Sequence, residues 1–176
     1  MERDNNPSRL HGSRDYFQIK QSQFTFEVVP ILRIQRVEQA KNITDVSPLH
    51  KEWVIKNLKN HDDARLIKKF CRAQEVYGAE SYIKGFSGYV LEILTVYYGT
   101  FINVVKNVSS WKLPVYIDVS KHHKNKDEAF TKINKSKREN ELVIVDPTQK
   151  DRNAAAAISK EKIEKLISAC KNYLHN

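Results

Sequence analysis

Between Asp15 and Ile34 the chain alternates apolar and polar positions: Phe24, Phe26 and Val28 are interleaved with Thr25, Glu27 and Val29. A period of two is that of a pleated strand, so this region reads as two strands. They join through a hairpin at Lys20-Gln21-Ser22-Gln23, which lacks the glycine of the most favoured tight turns. From Gln35 to Val46 the chain is polar and crosses to a region of helical period. Ser47-Pro48 opens a helix, serine as cap and proline at the first helical position, with Leu49, Trp53, Val54 and Leu58 at helical spacing. A second helix begins near Asp62 and carries Leu66, Ile67, Phe70, Cys71 and Val76 as its apolar positions. Gly78 and Gly85 interrupt the pattern. Ser87 caps a third helix through Leu91, Leu94, Tyr97 and Tyr98; Gly99 ends it, and a fourth runs from about Thr100 to Val108.

Two short apolar runs, 115–119 and 142–145, read as further strands. The Lys-rich stretch 120–140 between them reads as a long exposed loop. Ser159 caps a last helix whose Ile163, Leu166, Ile167, Cys170 and Leu174 form one apolar stripe. The expected class is α+β: a small antiparallel hairpin, then a mainly helical domain with a few short strands. The expected division is 1–45 and 46–176.

The 176 residues suffice for one domain or two small ones, and their formal net charge of +9 favours polyanionic partners such as nucleic acid, nucleotides or an anionic surface. No apolar run is long enough to span a bilayer, so no membrane role is expected. The polar start MERDNNPSRLHGSRD is not a secretory signal, and Cys71 and Cys170, far apart, make neither a disulfide framework nor a zinc signature. A cytoplasmic protein is expected.

Four places carry candidate chemistry, each with two readings. Glu27 sits between apolar neighbours in mid-strand, as a solvated sheet-face residue or as a magnesium ligand. Ser47 and His50, three apart at a helix start, share a face; they form a plain helix start or an anion site. Arg65, Lys68 and Arg72 fall at three- and four-residue steps and make a basic edge, either solvated or turned to a triphosphate or RNA backbone. The stretch Asp146-Pro147 to Arg152-Asn153-Ala154-Ala155 follows an apolar strand, where aspartates cap turns and loops carry binding residues. His122-His123 has no further ligands at metal spacing and is assigned no metal.

Taken in order, SPLH (47–50), RLIK (65–68), VYGAE (76–80), GFSGY (85–89), Tyr98-Gly99 and DP with RNAA (146–147, 152–155) resemble the archaeal, class I CCA-adding enzymes, tRNA nucleotidyltransferases of the polymerase-β-like group. FEVVP (26–30) resembles the strand bearing the third carboxylate of their catalytic palm. The resemblance covers nearly all of the chain apart from the Lys-rich stretch, and GFSGY and DP…RNAA are its most specific pieces.

That resemblance implies addition of C, C and A to the tRNA 3′ end from CTP and ATP. It implies Glu27 as the third catalytic, metal-binding carboxylate, an aspartate in the best-known relatives. It implies His50, Lys68 and Tyr77 at the nucleotide, Ser47 nearby and Arg152 against base or phosphates. Lys68 and Tyr77 are nine apart and converge only if the helix ends before Tyr77, which Gly78 permits.

The chain departs from the family pattern in two ways. It lacks the Gly-Ser turn followed by paired carboxylates, since Gly12-Ser13 leads only to Arg14-Asp15; and the tRNA-gripping portion is not found by Asn176. Two-metal transfer needs the full carboxylate set. The expectation is therefore a split or truncated enzyme, inactive alone, that shares Mg2+ with a complementary palm chain, with tRNA as partner and a homo- or hetero-oligomer allowed. The alternative is a non-catalytic RNA- or nucleotide-binding module derived from that enzyme. A related polyadenylating enzyme fits GFSGY and DP…RNAA less well.

Overall fold

The computed structural model describes residues 7–11, 14–133 and 141–175. Gly12-Ser13 and residues 134–140 of the Lys-rich stretch lie outside them. The class is α+β, with two small sheets and a mainly helical second half. The chain divides into two compact units, Met1–Lys51 and Glu52–Asn176.

In the first unit, β1 (Ser8–Leu10), β2 (Tyr16–Gln21) and β3 (Phe24–Val28) form an antiparallel sheet in the order β1-β2-β3. The hairpin turns where the alternation breaks, and Ser22 takes the left-handed φ of 55° that glycine would have supplied. Pairing sets Phe17 opposite Val28 and Ile19 opposite Phe26, while Gln18 lies opposite Glu27 and Lys20 opposite Thr25. One face is therefore apolar and the other polar. All of β3 is exposed, Phe24, Phe26 and Val28 included.

The polar stretch after this sheet is ordered around one acid. Asp45, fully buried, accepts from the amides of Leu32, Lys41 and Asn42 and pairs with the Arg14 guanidinium through both oxygens, at 2.7 and 2.9 Å. Burial alone would raise its pKa, but the Leu32 amide, Arg14 and the Asn42 and Lys41 amides outweigh it and hold the carboxyl down at about 2. The short 3-10 turn Ile43–Val46 runs directly into α1 (Ser47–Asn57). Ser47 is therefore not the extended cap expected of it: its φ of −53° and ψ of −38° are helical, and the cap of the combined run is Asn42, which accepts from the Thr44 amide.

The second unit is built on α2 (His61–Ala73), α3 (Gly88–Tyr98), α4 (Phe101–Ser109) and α6 (Lys160–His175). Each start is capped by a side chain: Asn60 for α2, Ser87 accepting from Val90, Thr100 from Asn103, and Ser159 from Lys162. Gly99 takes a φ of 92°, which lets the chain turn from α3 into α4. Ile67 and Cys71 of α2, Leu91 and Leu94 of α3, Val104 and Val108 of α4 and Ile163, Leu166 and Cys170 of α6 meet in one core. Phe70, Phe101 and Tyr173 close it with edge-on ring contacts of 5.6–6.0 Å between centroids.

The second sheet has the order β4 (Val115–Ile117), β5 (Leu142–Asp146), β6 (Gln149–Asn153); β4 and β5 are parallel, β5 and β6 antiparallel. β5 is buried throughout. The stretch expected to be a loop carries a helix, α5 (Lys126–Lys132), capped by Asn125. The reason is a short apolar stripe, Ala129, Phe130 and Ile133, which packs with Val143, Val145 and Tyr116 as a second small core. Four charged side chains in the seven residues of α5 mask this stripe in the sequence. β6 likewise lies in a stretch expected to be a turn.

Candidate nucleotide-binding site

α2 ends at Ala73, and Val76-Tyr77-Gly78 leaves it in extended form to pair with Gly85-Phe86: the Phe86 amide donates to Val76 at 2.7 Å and the Gly78 amide to Phe86 at 2.9 Å. Gly78 has a φ of 120°, which side-chain-bearing residues rarely adopt. The chain turns out of α2 before it, at Glu75, whose φ is 55° and beyond which the Val76 amide donates to the Cys71 carbonyl at 2.9 Å; Tyr77 so comes back beside the helix it left. A Cβ built on Gly88 would stand 3.2 Å from the Tyr77 hydroxyl, 3.5 Å from Lys68 Cε and 3.7 Å from Lys68 Nζ. Lys68 and Tyr77 thus meet over the first residue of α3, in space a side chain there would occupy.

The expected basic edge is not a single surface. Arg65 is exposed and pairs with Asp62 at 2.9 Å. Arg72 lies over the Tyr77 ring, 4.6 Å from its centroid, a cation–π contact that steadies the ring. Lys68 Nζ pairs with Glu92 Oε1 at 2.6 Å, both side chains about three-quarters buried.

The next residue of α3 reaches the other expected element. The Tyr89 hydroxyl donates to Asp146 Oδ1 at 3.1 Å; the same oxygen accepts from the Thr148 amide and hydroxyl, each at 2.8 Å, and Arg152 pairs with Oδ2. Asp146 is fully buried and Arg152 is one-quarter exposed. Burial and the Asp146 charge raise the Tyr89 pKa well above the ordinary tyrosine value, so the hydroxyl stays a donor. Asn153 is structural: its buried amide accepts from Ile144 and Ala155 and donates to Leu142. His122 and His123 bond the Pro147 and Lys150 carbonyls, each at 2.8 Å, and so tie the 118–123 turn to the β5–β6 hairpin.

Lys68, Tyr77 and Arg152 therefore belong to the second unit and gather on two consecutive residues of α3. Ser47 and His50 belong to the first, on the opening turn of α1, with Ser47 exposed and His50 half-buried. Glu27 is exposed on the polar sheet face and accepts from Gln18 Nε2 at 2.8 Å. Among the described residues no three His, Cys, Asp or Glu side chains gather to hold a metal ion. One carboxylate beside a glutamine does not make a magnesium site by itself. An open pocket of about 210 Å³ lined by Asn57, Leu58, Thr95 and Gly99 lies at the other end of α3. The sequence reading missed Glu92 and Tyr89. Glu92 carried a signal, being the one charged residue in the otherwise apolar α3.

Capped helices around a small sheet, with a lysine, a tyrosine and an acid-paired arginine near one helix start, define a mainly helical domain with a polar cluster at that start. Residues 62–176 match the family described as tRNA nucleotidyltransferase, second domain, and the chain belongs to that family. It is 42% identical over 169 residues to the CCA-adding enzyme of Nanoarchaeum equitans, covering 96% of this chain and 43% of that protein. It is 35% identical to the CCA-adding enzyme of Methanosarcina barkeri, over 94% of this chain and 34% of that protein. It is also 35% identical to that of Sulfurisphaera tokodaii, over 98% and 39%. The chain spans less than half the length of these relatives. Among the described residues no single helix is long and apolar enough to cross a membrane.

Proposed function

We propose that the chain serves in CCA addition: growth of a tRNA 3′ end by C, C and A from CTP and ATP. The observation that carries this reading is the meeting of Lys68 and Tyr77 over Gly88, residues nine apart that a continuous helix would turn to opposite faces. In this reading the Lys68 ammonium pairs with triphosphate oxygens and Tyr77 offers hydroxyl or ring. Arg152, held by Asp146, turns its remaining donors to base or phosphate, and Ser47 and His50, in the first unit, are nucleotide contacts in the same reading. Glu27 is the third carboxylate for Mg2+. The paired carboxylates come from polypeptide beyond these residues, in the simplest arrangement a complementary palm chain.

The test is an addition assay with tRNA lacking CCA, labelled CTP, ATP and magnesium. The purified chain alone is expected to incorporate nothing. With a palm polypeptide bearing the paired carboxylates it is expected to become active, and Glu27→Gln to abolish that activity. Incorporation by the chain alone, free of host enzyme, overturns the need for a second polypeptide. Full activity of Glu27→Gln returns Glu27 to the sheet face.

A further inference from the structure

We propose that Glu92 is a positioning residue of the nucleotide site: its carboxylate holds the Lys68 ammonium over Gly88, beside the Tyr77 hydroxyl. This rests on the reading of Lys68 and Tyr77 as triphosphate contacts.

Three observations carry it. Glu92 is the one charged residue of α3, a helix whose Val90, Leu91, Ile93, Leu94 and Thr95 are buried. It lies one turn after Gly88, on the same face, and four-residue spacing brings its carboxylate below that position. Its contact to Lys68 Nζ is 2.6 Å, with the two side chains 22% and 26% exposed, so the long lysine arm is fixed rather than left to sample water. The third observation is the glycine. No left-handed backbone requires it at position 88, since among the described glycines only Gly78 and Gly99 have positive φ. A Cβ there would stand 3.2 Å from the Tyr77 hydroxyl, a tight approach, and in ordinary contact with Lys68. The ammonium has three donors; Glu92 takes one, and Nζ stands 3.7 Å from where a Cβ at Gly88 would be. A lysine without this anchor reaches the same place only part of the time, and a ligand must then order it on binding.

The experiment measures binding of CTP and of cytidine to the full chain by titration calorimetry. Variants are Glu92→Ala, Glu92→Gln, Gly88→Ala, Lys68→Ala and the Lys68→Ala/Glu92→Ala double, with folding checked by circular dichroism. Glu92→Ala is expected to weaken CTP about tenfold and leave cytidine unchanged, because the anchor serves only the phosphate end. Glu92→Gln keeps an acceptor at the same reach and is expected to recover part of the loss. Gly88→Ala, which presses the Tyr77 hydroxyl and only comes into contact with Lys68, is expected to show a smaller loss of the same selectivity. The double variant is expected to bind no worse than Lys68→Ala alone. If Glu92→Ala binds CTP as well as or better than the parent while Lys68→Ala is weak, Glu92 is not an anchor and the inference falls, while the nucleotide site stands. Equal loss of CTP and cytidine also overturns it, as a general structural effect. If Lys68→Ala binds CTP normally, or the parent chain binds none, the site reading falls and this inference with it.

Discussion

The Tyr89 hydroxyl donates to Asp146 across 57 positions of sequence, at 3.1 Å, and so fixes the β5–β6 hairpin to the first turn of α3. Because Gly88 is its neighbour, the same turn carries the meeting of Lys68 and Tyr77 on one residue and the anchoring of Arg152 on the next.

This linkage makes Tyr89 and Asp146 sensitive positions. Tyr89→Phe is expected to destabilise the second unit by about 1–2 kcal/mol, the worth of one hydrogen bond to a buried charge. Asp146→Asn is expected to cost about 2–3 kcal/mol, less than breaking a fully buried pair because Arg152 still meets water. Urea denaturation monitored by circular dichroism checks both. Equal stability of Asp146→Asn and the parent would show that the pair contributes little.

Lys68→Ala is expected to weaken CTP and ATP alike, about ten- to a hundredfold, since phosphate carries no base identity. Tyr77→Phe separates hydroxyl from ring: only a hydroxyl contact predicts a loss. The measurement is the nucleotide dependence of the complemented enzyme. A change for one nucleotide and not the other would move Lys68 away from the phosphates.

Asp45 has a pH signature. Its folded pKa, about 2, lies below the ordinary aspartate value of 3.8, so its contribution to stability is fully present above about 4 and is lost as pH falls toward 2. Asp45→Asn is expected to unfold more readily at neutral pH and to lose less further stability between pH 4 and 2 than the parent. Parallel pH profiles for the two proteins would assign the acid sensitivity to other carboxylates.

Cys71 and Cys170 are buried in the helical core, and burial raises both thiols, that of Cys170 to about 12. The native chain is therefore expected to react with a thiol reagent at pH 8 only after unfolding, because the thiolate is the reactive form. Rapid labelling of either cysteine in the folded chain would contradict this packing.

Much of the helical scaffold is legible along the chain. Ser87, Thr100 and Ser159 cap where the apolar period begins, and Gly99 ends α3 where the period breaks. These are short-range effects, an orphan amide meeting a nearby oxygen or a φ that only glycine tolerates, and so they are written locally. The β2–β3 hairpin is equally local. What the local pattern misses is whatever depends on a distant partner. α5 is a helix because Ala129 and Ile133 find Val143 and Val145, and charged neighbours hide that stripe.

The candidate site follows the same division. The sequence alone determined which residue types are present: a lysine on a helix, a tyrosine before a glycine, an arginine after an aspartate. Only the tertiary structure decided that Lys68 and Tyr77 share the space over Gly88, that Glu92 holds the lysine, that Arg72 lies over the Tyr77 ring and that Arg65 pairs with Asp62. The physical reason is that helical spacing sets direction around an axis but not what stands opposite. Direction became contact through the end of α2 at Ala73, the turn at Glu75, and the packing of α2 and α3 in one core.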